Sequence, residues 1–135
     1  MRAMIAAWSK ALEAKDAAGL VADYDPETVL YDVKPPHKIT GPAAIRSMWE
    51  NCLPHLPDRF TSEHRDLTLT VGRDLAVMHA LHAIHPVGTD HPAAGMWIRV
   101  SACYRKTAGR WRVMHEHVSV PFDPTTGKVV AIRGP

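Results

Sequence analysis

Apolar residues recur at three- to four-residue spacing over positions 1–17, with Met4, Ile5, Trp8, Ala11 and Leu12 on one stripe, which predicts an amphipathic helix. Asp16 is placed to cap a second, shorter helix running through Leu20, Val21 and Tyr24. Asp25-Pro26 ends it, because proline disfavours a helical residue before it. A brief strand is expected over 28–32, and Lys34-Pro35-Pro36-His37 has to be extended or turning. Gly41-Pro42 opens a third helix whose apolar face holds Ile45, Met48, Trp49 and Cys52, and Pro54 and Pro57 close it.

The period then changes from helical to alternating. Long β-rich runs at 61–71, 75–85, 96–105 and 111–120 predict consecutive antiparallel strands. Gly72-Arg73-Asp74 and Thr107-Ala108-Gly109 supply hairpin turns, and the Pro- and Gly-rich stretch 86–95 reads as a longer loop. The last stretch, 122–135, either adds a short edge element around 129–132 or frays. Helices first and a meander after them is an α+β order, and 135 residues without repeats or linkers make one domain, 1–135.

Charge narrows the partners. With 16 basic and 14 acidic side chains the net charge is +2, and no dense Lys/Arg run offers the stripe that a phosphate backbone requires, so nucleic acid is not expected. The first apolar stretch, interrupted by Arg2 and running into Lys10, Glu13 and Lys15, is too short for a signal or a membrane span, so a cytoplasmic protein is expected. Cys52 and Cys103 make neither a disulfide framework nor a metal finger.

Three segments carry a family resemblance. Ala11-Leu12-Glu13-Ala14-Lys15-Asp16, Val29-Leu30-Tyr31-Asp32 and Gly41-Pro42-Ala43-Ala44-Ile45-Arg46 resemble, in order, the first half of the ketosteroid isomerases. Residues 109–122, Gly-Arg-Trp-Arg-Val-Met-His-Glu-His-Val-Ser-Val-Pro-Phe, resemble the last strand of SnoaL-like ketosteroid isomerase homologues. A similar Trp, His-x-His and Ser pattern occurs in the association domain of calcium/calmodulin-dependent kinases. The resemblance implies the cone-shaped nuclear-transport-factor-2-like (cystatin-like) fold, in which three N-terminal helices pack on a curved, mostly antiparallel sheet and enclose a pocket. It also implies a homodimer through the sheet face, a small hydrophobic or carbonyl-containing ligand, and no cofactor.

In that alignment Asp32 falls on the family's general base, which moves a proton beside a carbonyl while a phenol and a protonated carboxylic acid stabilise the enolate oxygen. The other reading of Asp32 is a cap on the turn before Val33-Lys34-Pro35, facing water. The family's phenol falls on Trp8 and its acid near Ser101 or Ala102, so the oxyanion donors differ. Trp8, Tyr24 and Trp49 fall where the isomerases line their cavity. Pairing the last two strands across the 107–109 hairpin puts Arg99, Ser101 and Cys103 on the pocket face with Arg112, Met114, Glu116 and Val118. A one-residue shift would instead turn Val113, His115 and His117 inward. His79, His82 and His85 alternate faces and cannot converge, and His115 and His117 lack a third ligand, so no metal is expected.

The functional expectation is an isomerase- or cyclase-type enzyme, ketosteroid isomerase-like or polyketide cyclase-like, with Asp32 as base and Trp8, Tyr24, Trp49, Arg99, Ser101, Glu116 and His117 around the ligand. The alternative is a non-catalytic ligand-binding or oligomerisation module of the same fold. Epoxide hydrolysis would need an Asp-Arg-Asp set, of which Asp32 and Arg99 supply two members.

Overall fold

The computed structural model describes residues 1–133. Three helices, α1 (Arg2–Glu13), α2 (Ala17–Leu20) and α3 (Pro42–Cys52), lie over a six-stranded sheet. Its strands are β1 (Tyr24–Tyr31), β2 (Ile39–Thr40), β3 (Phe60–Val71), β4 (Leu75–Pro86), β5 (Ile98–Thr107) and β6 (Arg110–Ser119). They are ordered β2-β1-β6-β5-β4-β3, with β1 parallel to β6 and every other pair antiparallel. Among the described residues no helix is long and apolar enough to cross a membrane.

The first two helices are shorter than their periodicity suggests. Lys15 takes a left-handed conformation (φ 54°) that closes α1, and Asp16 caps α2 by accepting from the Gly19 amide at 3.0 Å. Tyr24 belongs to a strand, and so does Pro26. Pairing of β1 with β6 lapses between Tyr24 and Val29, so the proline's missing N–H costs no ladder bond there. A short hairpin, β7 (Phe122–Asp123) with β8 (Lys128–Val129), follows the sheet, and Ile132 bridges back to Trp97. Residues 134 and 135 lie outside the described residues.

Alternation decides the core. Ala76, Met78 and Ala80 of β4 and Val100, Ala102 and Tyr104 of β5 point beneath the helices and pack with Ile5 of α1 and Ile45 of α3, the latter wholly buried. Leu12, Leu20, Leu53 and Phe60 form a second cluster at one end. Burying side chains of this size contributes about 1.5–3 kcal/mol each.

One residue changes which side chains face this core. β5 and β6 pair regularly from Thr107↔Arg110 to Tyr104↔Val113, but the next pair is Cys103↔His115. Met114 is the extra residue of a β-bulge, and every residue beyond it is displaced by one position. Glu116 therefore lies opposite Ala102 and faces inward, while Arg99 pairs with Ser119 and Ser101 with His117 on the outer face. Placing Arg99, Ser101 and His117 on the pocket is thus corrected. A uniform alternation assigns Arg99 and Glu116 to one face, and the bulge separates them. Arg99 donates instead to the Ser119 hydroxyl at 3.1 Å, and the exposed Tyr31 ring stacks edge-on against His115 and His117.

Candidate functional site

Between the helices and the inner sheet face lies a cavity of about 450 Å³, a size suited to a small organic molecule. The exposed side chains Val33, Lys34 and Met96 mark its mouth. Trp8, Tyr24 and Trp49, expected from the resemblance, all line it. Trp8 packs edge-on against Trp49 with ring centroids 6.1 Å apart. Its indole N–H is fully buried and has no hydrogen-bond partner among the described residues, so it is covered and does not offer a donor to a ligand.

Asp32 is also on the wall, just past the end of β1 and beside the mouth. One carboxylate oxygen accepts from the Val33 amide at 2.8 Å, as a turn cap does, and the other takes no hydrogen bond among the described residues. Asp32 thus lines the cavity and holds the turn at once. Parallel pairing sets Leu30 beside Glu116, so Asp32, one residue beyond β1, and Glu116 of the neighbouring β6 both reach the cavity wall two positions apart along the sheet.

Glu116 has no hydrogen bond or ion pair among the described residues, yet its oxygens are not among the buried unpartnered atoms, because they open into the cavity. Burial in this apolar wall pushes its carboxyl up to about 7. It is therefore an acid that can stand protonated or charged near neutral pH. Tyr104, on the same wall, is held up at about 12 by burial first and by Cys103 second, and stays a neutral phenol. Cys52 lines the cavity near Asp32 and Lys34, with its thiol raised mainly by burial.

The opposite wall carries two histidines. His64 of β3 and His82 of β4 are cross-strand partners with rings 4.8 Å apart, and both touch the edge of Trp8. Burial lowers both, His82 to about 3 with smaller contributions from His64 and His85. His79 and His85 do turn outward, His85 onto Glu63 at 2.7 Å. None of the sequence-based expectations places His64, His82 or Tyr104 at the site. Their signal is parity: His82 continues Ala76, Met78 and Ala80, and Tyr104 continues Val100 and Ala102.

The likenesses to known proteins agree with this architecture. A solved NTF2-like protein of unknown function from Pseudomonas putida KT2440 is 30% identical, with a TM-score of 0.89 over 99% of this chain and 93% of that one. A candidate dehydratase of the NTF2-like family from Streptomyces avermitilis is 16% identical, with a TM-score of 0.73 over 90% of this chain and 94% of that one. A candidate ketosteroid isomerase from Parabacteroides distasonis is 18% identical, with a TM-score of 0.69 over 90% and 87%. No curated protein matches the chain with significance. The model of the SnoaL-like domain matches residues 1–123, and with the fold just described the chain belongs to the SnoaL-like domain family of the NTF2-like superfamily.

Proposed function

We propose that this protein is an enzyme of the isomerase or cyclase type, which moves a proton on a small, largely apolar carbonyl compound held in the cavity. The observation that carries the reading is Glu116: a carboxyl without a partner among the described residues, on an apolar wall, open to the cavity and poised near pH 7. A buried carboxyl aimed into a cleft without a structural partner is what acid–base chemistry requires. Asp32, two positions away at the mouth, removes the proton beside the substrate carbonyl. Protonated Glu116 donates to the carbonyl oxygen as negative charge develops there, replacing the donor that neither covered Trp8 nor outward Ser101 can supply. Two carboxyls in unlike surroundings divide the roles of base and acid.

The test is hydrogen–deuterium exchange at the α-carbon of 2-tetralone and of a panel of cyclic enones in D2O, followed by NMR. Exchange by the wild type above the buffer rate, lost in Asp32→Asn, supports the reading. No exchange of any probe, or equal exchange by wild type and variant, removes it.

A second reading, assembly through the sheet, is favoured by one observation. Val71, Leu75 and Val77 leave an apolar run exposed on the sheet, and on its outer face Tyr31 stands beside His115 and His117. We propose that a second copy of the chain covers that face. Light scattering of the wild type and of Val77→Lys distinguishes a dimer from a monomer. The free Cys52 and Cys103 suit a reducing compartment, so the cytoplasm is the proposed location.

A further inference from the structure

Four side chains on the histidine wall form an unbroken chain of polar contacts. His82 Nε2 lies 2.8 Å from Ser62 Oγ, Ser62 Oγ lies 3.0 Å from Ser9 Oγ, and Ser9 Oγ lies 3.3 Å from His64 Nδ1. The chain is held from outside the cavity by Glu13, which accepts from the Ser62 amide at 2.8 Å. Each ring spends one nitrogen on the chain. The other two, His82 Nδ1 and His64 Nε2, have no hydrogen-bond partner among the described residues and are not buried orphans, although both rings line the cavity. They are left facing its open space.

We propose that His64, Ser9, Ser62 and His82 are a proton relay that always presents the ligand with one imidazole acid and one imidazole base, side by side. The reason is a count of hydrogens. Each hydroxyl has one proton to donate and, among the described residues, no acceptor outside the chain, so with both serine protons spent inside it only two arrangements satisfy all three contacts. In the first, His82 donates to Ser62, Ser62 to Ser9 and Ser9 to His64. Both rings are then Nε2–H tautomers, and the cavity meets a bare His82 Nδ1 and a His64 Nε2–H. In the second every donation is reversed, both rings are Nδ1–H tautomers, and the two cavity-facing nitrogens exchange roles. A ligand hydroxyl that gives its proton to His82 Nδ1 sends one proton along each link, and His64 Nε2 delivers one to a ligand acceptor. One ligand O–H breaks and one forms, and no imidazolium or net charge appears in a wall where burial disfavours cations.

The matching ligand has a hydroxyl donor and a carbonyl acceptor on carbons one or two bonds apart, as an α-hydroxyketone or an enolised 1,3-dicarbonyl does. The facing groups are Trp8 from α1, Ser62 and His64 from β3 and, through the sheet, His85 from β4, and among the described residues no carboxylate bonds either ring. The catalytic use of the relay rests on the cavity being a site of proton transfer, but its tautomer coupling is a property of the free protein.

The experiment is nitrogen-15 NMR of histidine-labelled full-length protein, reading the tautomer of each ring without any ligand. The expected result is two neutral rings at pH 6 with equal Nδ1–H fractions, and unequal fractions once Ser9→Ala cuts the chain. A ring that is cationic at pH 6, unequal fractions in the wild type, or fractions still equal in Ser9→Ala would overturn the relay. The wild-type measurement stands even where the variant does not fold. Exchange of 2-tetralone separates the two readings. Matched tautomers with no response of exchange to Asp32→Asn sink the carboxylate mechanism alone, and unmatched tautomers with a full response sink the relay alone.

Discussion

The two walls of the cavity bury ionisable groups in opposite styles. On the β3–β4 wall, His64 and His82 are hydrogen-bonded through serines and held neutral by a lowered pKa. On the β6–β1 wall, Glu116 is raised to about 7, which leaves it partly protonated at neutral pH, and it bonds to nothing among the described residues. The same physical cause, loss of water around a charge, moves a base down and an acid up. What differs is completion. The histidine wall is a polar network with its partners in place, and the carboxyl wall is left unfinished until something enters the cavity.

The largest effect that would break this contrast is catalytic. Asp32→Asn should slow α-proton exchange by about 10²–10⁴-fold, the usual worth of a general base. Glu116→Gln, which keeps a donor, should slow it by less than about tenfold at pH 6. It should also erase the fall in rate as pH passes 7, read from the pH–rate profile.

Stability against pH should show the walls pulling against each other. Glu116 binds its proton more tightly folded than unfolded, so its contribution is complete below about 4.5 and is lost as pH rises to about 7. His82 binds its proton less tightly folded, so its contribution is complete above 6.5 and is lost as pH falls towards about 3. Between 4.5 and 6.5 the two slopes, each about 1.4 kcal/mol per pH unit, cancel. Urea unfolding of the wild type should be close to flat in the lower part of that window, with a residual gain towards pH 6.5 from His64, whose pKa burial also lowers. Glu116→Gln should grow more stable with rising pH and His82→Gln less stable, by up to about 3 kcal/mol across the window.

Smaller effects sharpen the contrast. Ser62→Ala strands a buried His82 nitrogen and should cost about 1–3 kcal/mol in thermal or urea unfolding. Arg99→Ala, on the outer face, should stay within about 0.5 kcal/mol and leave exchange untouched. A large loss of exchange there would restore the pairing of Arg99 with the pocket.

The long strands were legible because alternation is a period-two signal that burial enforces, and α3 because Gly41-Pro42 and Pro54 bracket its stripe. Family likeness, rather than periodicity, pointed to Asp32, Trp8, Tyr24 and Trp49. The carboxyl wall is half legible: one of the two open registers turns Glu116 inward, but with Arg99 on the same face, because nothing in residues 110–119 marks Met114 as an extra residue. The histidine wall was hidden for another reason. A lone inward histidine per strand is uninformative until register sets His64 against His82, and Ser9 reaches them from a helix 55 residues away in sequence from His64.

The bulge at Met114 also has an evolutionary meaning. It sits in a central strand, and the residues beyond it alternate imidazole, carboxyl, imidazole at His115, Glu116 and His117. With the slack taken up at Met114, the carboxyl lines the cavity. Were the ladder to close there and the extra residue be absorbed past Val118, the histidines would line it instead. Deleting Met114 would simply regularise the strand and leave Glu116 where it is. One stretch of sequence thus encodes two alternative linings, and a lineage could pass from one to the other by relocating a single residue of slack without inventing a new side chain.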